Sequence, residues 1–204
     1  PRSDDSVNHF SSRGPTRGSL VDAGGVRRID NLLKPDLVAP GNKIVSALST
    51  KVGSSSWSHL PSKHWQLIDQ LPGAMLAGGE SVMRLSGTSV AAPAVAGAAA
   101  LLLQANPGLT PPLIKAILQY TAQPIAGANL LQQGAGLLNI DGAVALAKVL
   151  RTDVATAVEA GTITSGVALL ASGKVMPAAT STVNGTSFNW SRIVFVGGNT
   201  VVSG

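Results

Sequence analysis

The stretch LSGTSVAAPAVAGAAALLL, residues 85–103, limits the folds open to this chain more than any other. Residues 90–103 are all apolar or glycine apart from Pro93, which suits the first turn of a helix because its missing N–H is not needed there. A helix that is apolar on every side belongs inside a protein, and this run is shorter than the about 20 residues of a membrane span. The stretch therefore predicts a central core helix after a short strand at residues 82–85.

Ser89 falls where this helix should begin, just after Gly87 and Thr88. One interpretation makes Ser89 an N-cap, whose hydroxyl accepts a hydrogen bond from a backbone N–H two or three residues on. The other makes it a nucleophile at a helix N-terminus, where unpaired N–H groups and the helix dipole can hold a developing oxyanion. Residue identity at one position does not separate the two interpretations.

Four stretches in the same order resemble motifs of the subtilases, the subtilisin-like serine peptidases. The string GTSVAAP at residues 87–93 resembles the family's nucleophile motif. The other three are FSSRGP at 10–15, KPDLVAPG at 34–41 and QGAGLLN at 133–139. Four matches in order are far more specific than one, and the resemblance covers residues 6–150.

The resemblance implies an α/β fold, of which this chain holds the C-terminal part of a mostly parallel sheet with flanking helices. A small β-rich tail is expected after it, so we predict a peptidase portion at 1–150 and an extension at 151–204. The implied activity is that of a serine endopeptidase acting on proteins or peptides. Ser89 would be the nucleophile and its N–H an oxyanion donor, while Gly87 and Thr88 would position the turn.

The family's catalytic Asp, its His and its oxyanion Asn have no matching motif in this sequence and belong upstream of residue 10. We therefore expect the chain to be the C-terminal part of a longer protein, partnered by the N-terminal part of its own catalytic domain and nearly inactive alone. His9, His59 and His64 lie outside any matching motif. Asp36 follows the place of the family's acid and His, so we predict a structural role for it.

Composition excludes several classes of function. Charged residues are 12% of the chain, about half the usual ~25%, which suits part of a larger body that buries much of its surface. The net charge of +5 comes from scattered Lys and Arg, so no nucleic-acid surface is expected. Cysteine is absent, which removes thiol chemistry and disulfides. No metal-ligand cluster is recognisable and no cofactor is expected, although structural calcium in the full-length protein stays open. The resemblance implies a secreted or cell-surface location.

Local patterns predict the remaining elements. Short strands are expected at 37–39 and 44–48, and a surface insertion at 51–79 with a helix at 62–71. Thr110 and Pro111 predict a helix start, apolar spacing predicts a helix at 140–150, and alternation at 191–196 before a glycine turn predicts strands. Two triplets, NGT at 184–186 and NWS at 189–191, match glycosylation acceptors.

The sequence leaves three other interpretations open. The chain could be a catalytically silent subtilase-like binding or scaffold module, which the absence of the upstream Asp, His and Asn from the full-length protein would indicate. It could be a cell-surface structural segment in which the β tail matters most. An α/β-hydrolase esterase is a weaker rival, because the GxSxG elbow of that class is absent around Ser89.

Overall fold

The computed structural model describes residues 4–48 and 81–204. The predicted insertion at 51–79, its helix at 62–71, His59 and His64 lie outside these described residues. The chain divides into two compact units, one made of Pro1–Ala39 with Pro93–Gly204 and the other of Pro40–Ala92. The division falls inside a helix that begins in the smaller unit and continues into the larger one.

The strands of the described segments form four two-stranded sheets, each antiparallel. Their bounds are β1 Ser19–Val21 with β2 Arg27–Ile29, β3 Ile44–Leu48 with β4 Ser81–Leu85, β5 Thr180–Val183 with β6 Thr186–Asn189, and β7 Ile193–Val196 with β8 Thr200–Ser203. The predicted mostly parallel sheet is not present in this part of the chain. Among the described residues, parallel pairing occurs in one isolated bridge, between Val38 and Leu137. The predicted strand at 37–39 appears only as this bridge.

Five helices lie within the described residues: α1 Thr88–Ala105, α2 Pro111–Tyr120, α3 Leu130–Gln133, α4 Ile140–Ala147 and α5 Val154–Glu159. The predicted start of α2 is confirmed, with Thr110 extended and proline first, although the Thr110 hydroxyl accepts no cap hydrogen bond. Asn139 caps α4 through its side chain, which accepts a hydrogen bond from the Gly142 N–H. That helix ends at Ala147, three residues before the predicted end.

The core of the larger unit is built where α1, α2 and α4 meet. Small residues allow the close approach, since Ala98, Ala143 and Ala147 are almost fully buried beside larger aliphatic side chains. The buried set is Ala98, Leu102, Leu109, Ile117, Leu118, Ala143, Leu146, Ala147, Leu150 and Trp190. One side of α1 is thereby covered.

The other sides of α1 are exposed, and here the prediction of a helix enclosed on every side is wrong for this chain. Ala98 and Leu102 are its buried residues, whereas Leu101 is 44% and Leu103 is 43% exposed. The reason is that, within the larger unit, α2 and α4 pack against a single side of the helix. α1 is long enough and apolar enough to cross a membrane. Core helices of water-soluble proteins also meet these two criteria.

The stretches at 10–15 and 133–139, and residues 34–39 of the stretch KPDLVAPG, lie in the larger unit. The N–H of Val38 donates to the Gly136 carbonyl over 2.9 Å, and the N–H of Leu138 donates to the Val38 carbonyl over 2.8 Å. The N–H of Gly14 donates to the Leu131 carbonyl in α3. Backbone bonds thus join Gly14 of the first stretch and Val38 of the second to the segment 131–138.

The predicted β-rich tail is present as two hairpins that pack on the helices. Trp190 is buried against Tyr120 in an edge-to-face contact, and its Nε1 donates to Ser181 Oγ over 3.0 Å. Ser181 Oγ also accepts from Asn139 Nδ2 over 3.1 Å. Residues 151–204 therefore share a compact unit with α2 and α4, and the division of the chain at residue 150 stays a prediction.

Candidate active site

The start of α1 is built on a turn that follows β4. β3 and β4 pair in register from Ile44 with Leu85 to Leu48 with Ser81, which brings the end of β4 beside the start of β3. Gly87 then has a φ of +156°, a value that residues with a side chain rarely adopt. Its carbonyl accepts from the N–H groups of Val90 and Ala91, at 3.0 and 3.2 Å, and so begins the helix.

Hydrogen bonds fasten this turn to residues 41–43. The Gly87 N–H donates to the Gly41 carbonyl over 2.8 Å. Ser86 Oγ accepts from the Lys43 N–H over 2.8 Å and donates to Asn42 Oδ1 over 3.0 Å. The approach is close, because a Cβ on Gly41 would lie 2.7 Å from the Gly87 carbonyl oxygen and 2.9 Å from the Ala91 Cβ. Glycine at position 41 therefore lets the two backbones meet.

Ser89 lies one residue inside α1 and is exposed. Among the described residues, no group accepts a hydrogen bond from its N–H and none pairs with its Oγ. Within the described segments the Ser89 hydroxyl caps no backbone N–H, and the carbonyl of Gly87 begins the helix, so these contacts do not support the capping interpretation. An exposed hydroxyl beside an N–H that is unpaired among the described residues could supply two of the parts of an acyl transfer, the attacking oxygen and one oxyanion donor.

Gly87 and Thr88 occupy the turn and the first helical position, directly before Ser89. The structure thus brings the three residues singled out from the sequence together at one helix start. Sequence reasoning missed Ser86, Asn42 and Gly41, the residues that fasten the turn. The available signal was the position of Ser86 inside the LSGTS string and of Gly41 at the end of KPDLVAPG.

His9 and Asp36 lie in the larger unit. The His9 ring makes an edge contact with Phe10, at a centroid distance of 5.6 Å. The Asp36 carboxylate binds Lys34 Nζ, Lys115 Nζ at 2.8 Å and Gln119 Nε2 at 3.2 Å. The predicted structural role of Asp36 agrees with these contacts.

The charge of Asp36 is stabilised by its two lysines. Burial opposes ionisation, but the hydrogen bonds and charges of Lys115 and Lys34 outweigh it and hold the pKa of the carboxyl below its usual value. In the part of the chain that the structure describes, no three His, Cys, Asp or Glu side chains are grouped as a metal site would require.

Known proteins with similar sequences share the part of the chain that contains the start of α1. A sequence model of the Subtilase family matches residues 2–144, well over half of the chain. Serine protease AprX of Bacillus subtilis is 35% identical over 141 residues, covering 69% of this chain and 26% of AprX. Subtilisin-like protease SBT2.4 of Arabidopsis thaliana is 39% identical over 116 residues, covering 57% of this chain and 11% of SBT2.4.

Fervidolysin from Fervidobacterium pennivorans, described as a keratinolytic enzyme related to subtilisin, aligns in structure with a TM-score of 0.42 at 29% identity. The aligned region covers 59% of this chain and 17% of fervidolysin. The chain thus spans about a quarter of the length of AprX and about a tenth of that of SBT2.4. The family match extends across all four motif stretches and across the turn that carries Ser89. The chain belongs to the subtilase family of serine peptidases.

Proposed function

We propose that this chain supplies the nucleophile of a serine endopeptidase, with Ser89 as that nucleophile. The observation that supports the assignment best is the exposed Ser89 at the start of α1, whose Oγ and N–H are unpaired among the described residues. Subtilase membership supports peptide-bond hydrolysis as the reaction. Gly87 and Thr88 position the turn.

The reaction proceeds by acyl transfer. Ser89 Oγ attacks the carbonyl carbon of the scissile peptide bond while its proton passes to a histidine base. The oxyanion accepts a hydrogen bond from the Ser89 N–H. The C–N bond then breaks, and the amine leaves with the proton from the base. Water, deprotonated by the same base, hydrolyses the ester on Ser89 and regenerates the hydroxyl.

The base, its orienting Asp and the second oxyanion donor, an Asn, are supplied by residues outside this sequence. The isolated chain is accordingly nearly inactive, since loss of the base costs about a millionfold in turnover in subtilisin. The full-length protein needs no organic cofactor, and a calcium ion in it would be structural. Its substrates are proteins or peptides, and it acts outside the cell or on its surface.

The exposed side of α1 is covered in the full-length protein by the rest of the peptidase domain. An apolar helix with Leu101 and Leu103 nearly half exposed needs such a cover, and the chain spans only about a quarter of the length of AprX. Leu103→Asp should then destabilise the full-length protein by more than ~2 kcal/mol. Val158→Asp, at a similarly exposed position on α5, is the matched control and should change little.

The direct test is Ser89→Ala in the full-length protein. Peptidase activity should fall about a millionfold while the unfolding midpoint stays within about 2 °C of the wild type, because an exposed hydroxyl is removed. Ser46→Ala, on β3, is the control and should keep full activity. If the wild type itself cleaves no peptide and its upstream sequence lacks the His or the Asp, the alternative of a silent binding module replaces this proposal.

A further inference from the structure

We infer that Ser86 is a positioning residue for the nucleophile, acting by fixing the turn at residues 86–87 against residues 41–43. This inference rests on the proposed function, because positioning matters only if Ser89 reacts. Ser86 itself does not touch the reacting atoms.

The geometry centres on one hydroxyl. Ser86 Oγ uses both its capacities, accepting from the Lys43 N–H over 2.8 Å and donating to Asn42 Oδ1 over 3.0 Å. The next residue, Gly87, donates its N–H to the Gly41 carbonyl over 2.8 Å. Three hydrogen bonds from two consecutive residues therefore fix both the position and the orientation of the turn.

Lys43 shows why the hydroxyl is needed. Its φ is +55°, a left-handed conformation that lysine adopts only when its surroundings hold it there. The bond from the Lys43 N–H to Ser86 Oγ is such a restraint. Without it the turn at 41–43 is free to relax toward an ordinary conformation, and the Gly41 carbonyl that binds Gly87 moves with it.

Any shift of Gly87 passes directly to Ser89. The Gly87 carbonyl accepts the first two helical hydrogen bonds of α1, so it defines where the helix begins and where the Ser89 N–H points. Nucleophilic attack depends steeply on such placement, because an error of about 1 Å can cost on the order of 100-fold in rate. Ser86 thus acts on the rate of acylation more than on the binding of substrate.

The experiment compares Ser86→Ala with Ser86→Thr and Ser46→Ala in the full-length protein. Ser46 is an exposed serine of β3 whose side chain makes no hydrogen bond within the described segments. We expect Ser86→Ala to lower kcat about 10-fold with KM changed less than about twofold. The rate of labelling by a fluorophosphonate probe should fall by the same factor. Ser86→Thr, which keeps a hydroxyl, should restore most of kcat.

A second variant tests the route through Lys43. Glycine adopts a positive φ without support, so Lys43→Gly added to Ser86→Ala should recover part of the lost kcat. Active-site titration counts the competent molecules and separates lost rate from lost folded protein.

Wild-type kcat in Ser86→Ala, or an equal loss in Ser46→Ala, would overturn the inference. So would a loss of activity that is accounted for wholly by fewer titratable sites. If the wild type is active and Ser89→Ala is inactive while Ser86→Ala is normal, the positioning role alone fails. If Ser89→Ala keeps its activity, the proposed nucleophile fails and the inference fails with it.

Discussion

The backbone N–H of Phe195 in β7 donates a hydrogen bond of 3.1 Å to Oε1 of Gln119 in α2. The side-chain amide of Gln119 also donates from Nε2 to Asp36. The backbone carbonyl of Gln119 accepts from Ser191 Oγ over 2.8 Å. Gln119 is fully buried, so each of these groups replaces water that cannot reach it. One side chain therefore connects the KPDLVAPG stretch, helix α2 and the C-terminal tail.

Replacing Gln119 by leucine should destabilise the full-length protein by about 1–3 kcal/mol. The change leaves the buried Phe195 N–H without an acceptor, and the penalty for an unpaired buried donor exceeds the value of a typical hydrogen bond. Denaturant unfolding measures the difference. Glu159→Leu, at the exposed end of α5, is the control, and an equal effect of both changes would contradict the role of Gln119.

Trp190 provides a second test of how the tail is held. Trp190→Ala should destabilise by about 3–5 kcal/mol because it empties a core site beside Tyr120 and removes the bond to Ser181. Trp190→Phe should cost less, since it loses the hydrogen bond but keeps most of the packing.

Val175→Ala, in the same tail but 77% exposed, is the matched control for Trp190 and should be neutral. Unfolding by heat or denaturant gives the comparison. Deletion of residues 151–204 should destabilise at least as much as Trp190→Ala. A truncated protein of unchanged stability would show that the tail is an independent appendage.

The lowered pKa of Asp36 should make the stability of the folded protein depend on pH. The folded protein holds the pKa of this carboxyl below its unfolded value of about 3.9, so the unfolded chain binds the proton at higher pH than the folded chain does. Acid therefore favours unfolding. The stabilisation is complete at pH values above about 4 and is lost as pH falls through the lowered pKa of the folded state.

Asp36→Asn should accordingly lower stability at pH 7 and flatten the decline of the unfolding free energy below pH 4. Unfolding free energies measured from pH 7 to pH 2 test this. Glu159→Gln removes a negative charge that makes no ion pair among the described residues, and it should leave the shape of the profile unchanged. Parallel profiles for the wild type and Asp36→Asn would contradict the assignment.

Several elements could be predicted from local sequence because local physics determines them. Pro111 after Thr110 sets the start of α2, and the alternation at 191–196 with the following glycines sets the β7–β8 hairpin. The hairpin of β5 and β6 carried an equally local signal in Asn184-Gly185, a pair typical of tight hairpin turns. The same residues begin a triplet that matches a glycosylation acceptor, and the structure shows them at the hairpin turn.

What could not be predicted depends on distant partners. The pattern of α1 indicates burial on every side but does not say which segment supplies the cover, and within the larger unit α2 and α4 cover a single side. The role of Gln119 depends on Asp36 and Phe195, which are far from it in sequence. The bonds of Ser86 to residues 42 and 43 depend likewise on the pairing of β3 with β4.

Covalent labelling can show whether Ser89 is the nucleophile. A fluorophosphonate probe reacts with an activated serine by forming a phosphorus–oxygen bond while fluoride leaves and the hydroxyl proton passes to the base. Incubation with the active full-length protein, followed by mass spectrometry of its peptides, should place one label on Ser89 and none in Ser89→Ala. Label on another serine, with Ser89 unmodified in a protein that cleaves peptides, would show that Ser89 is not the nucleophile.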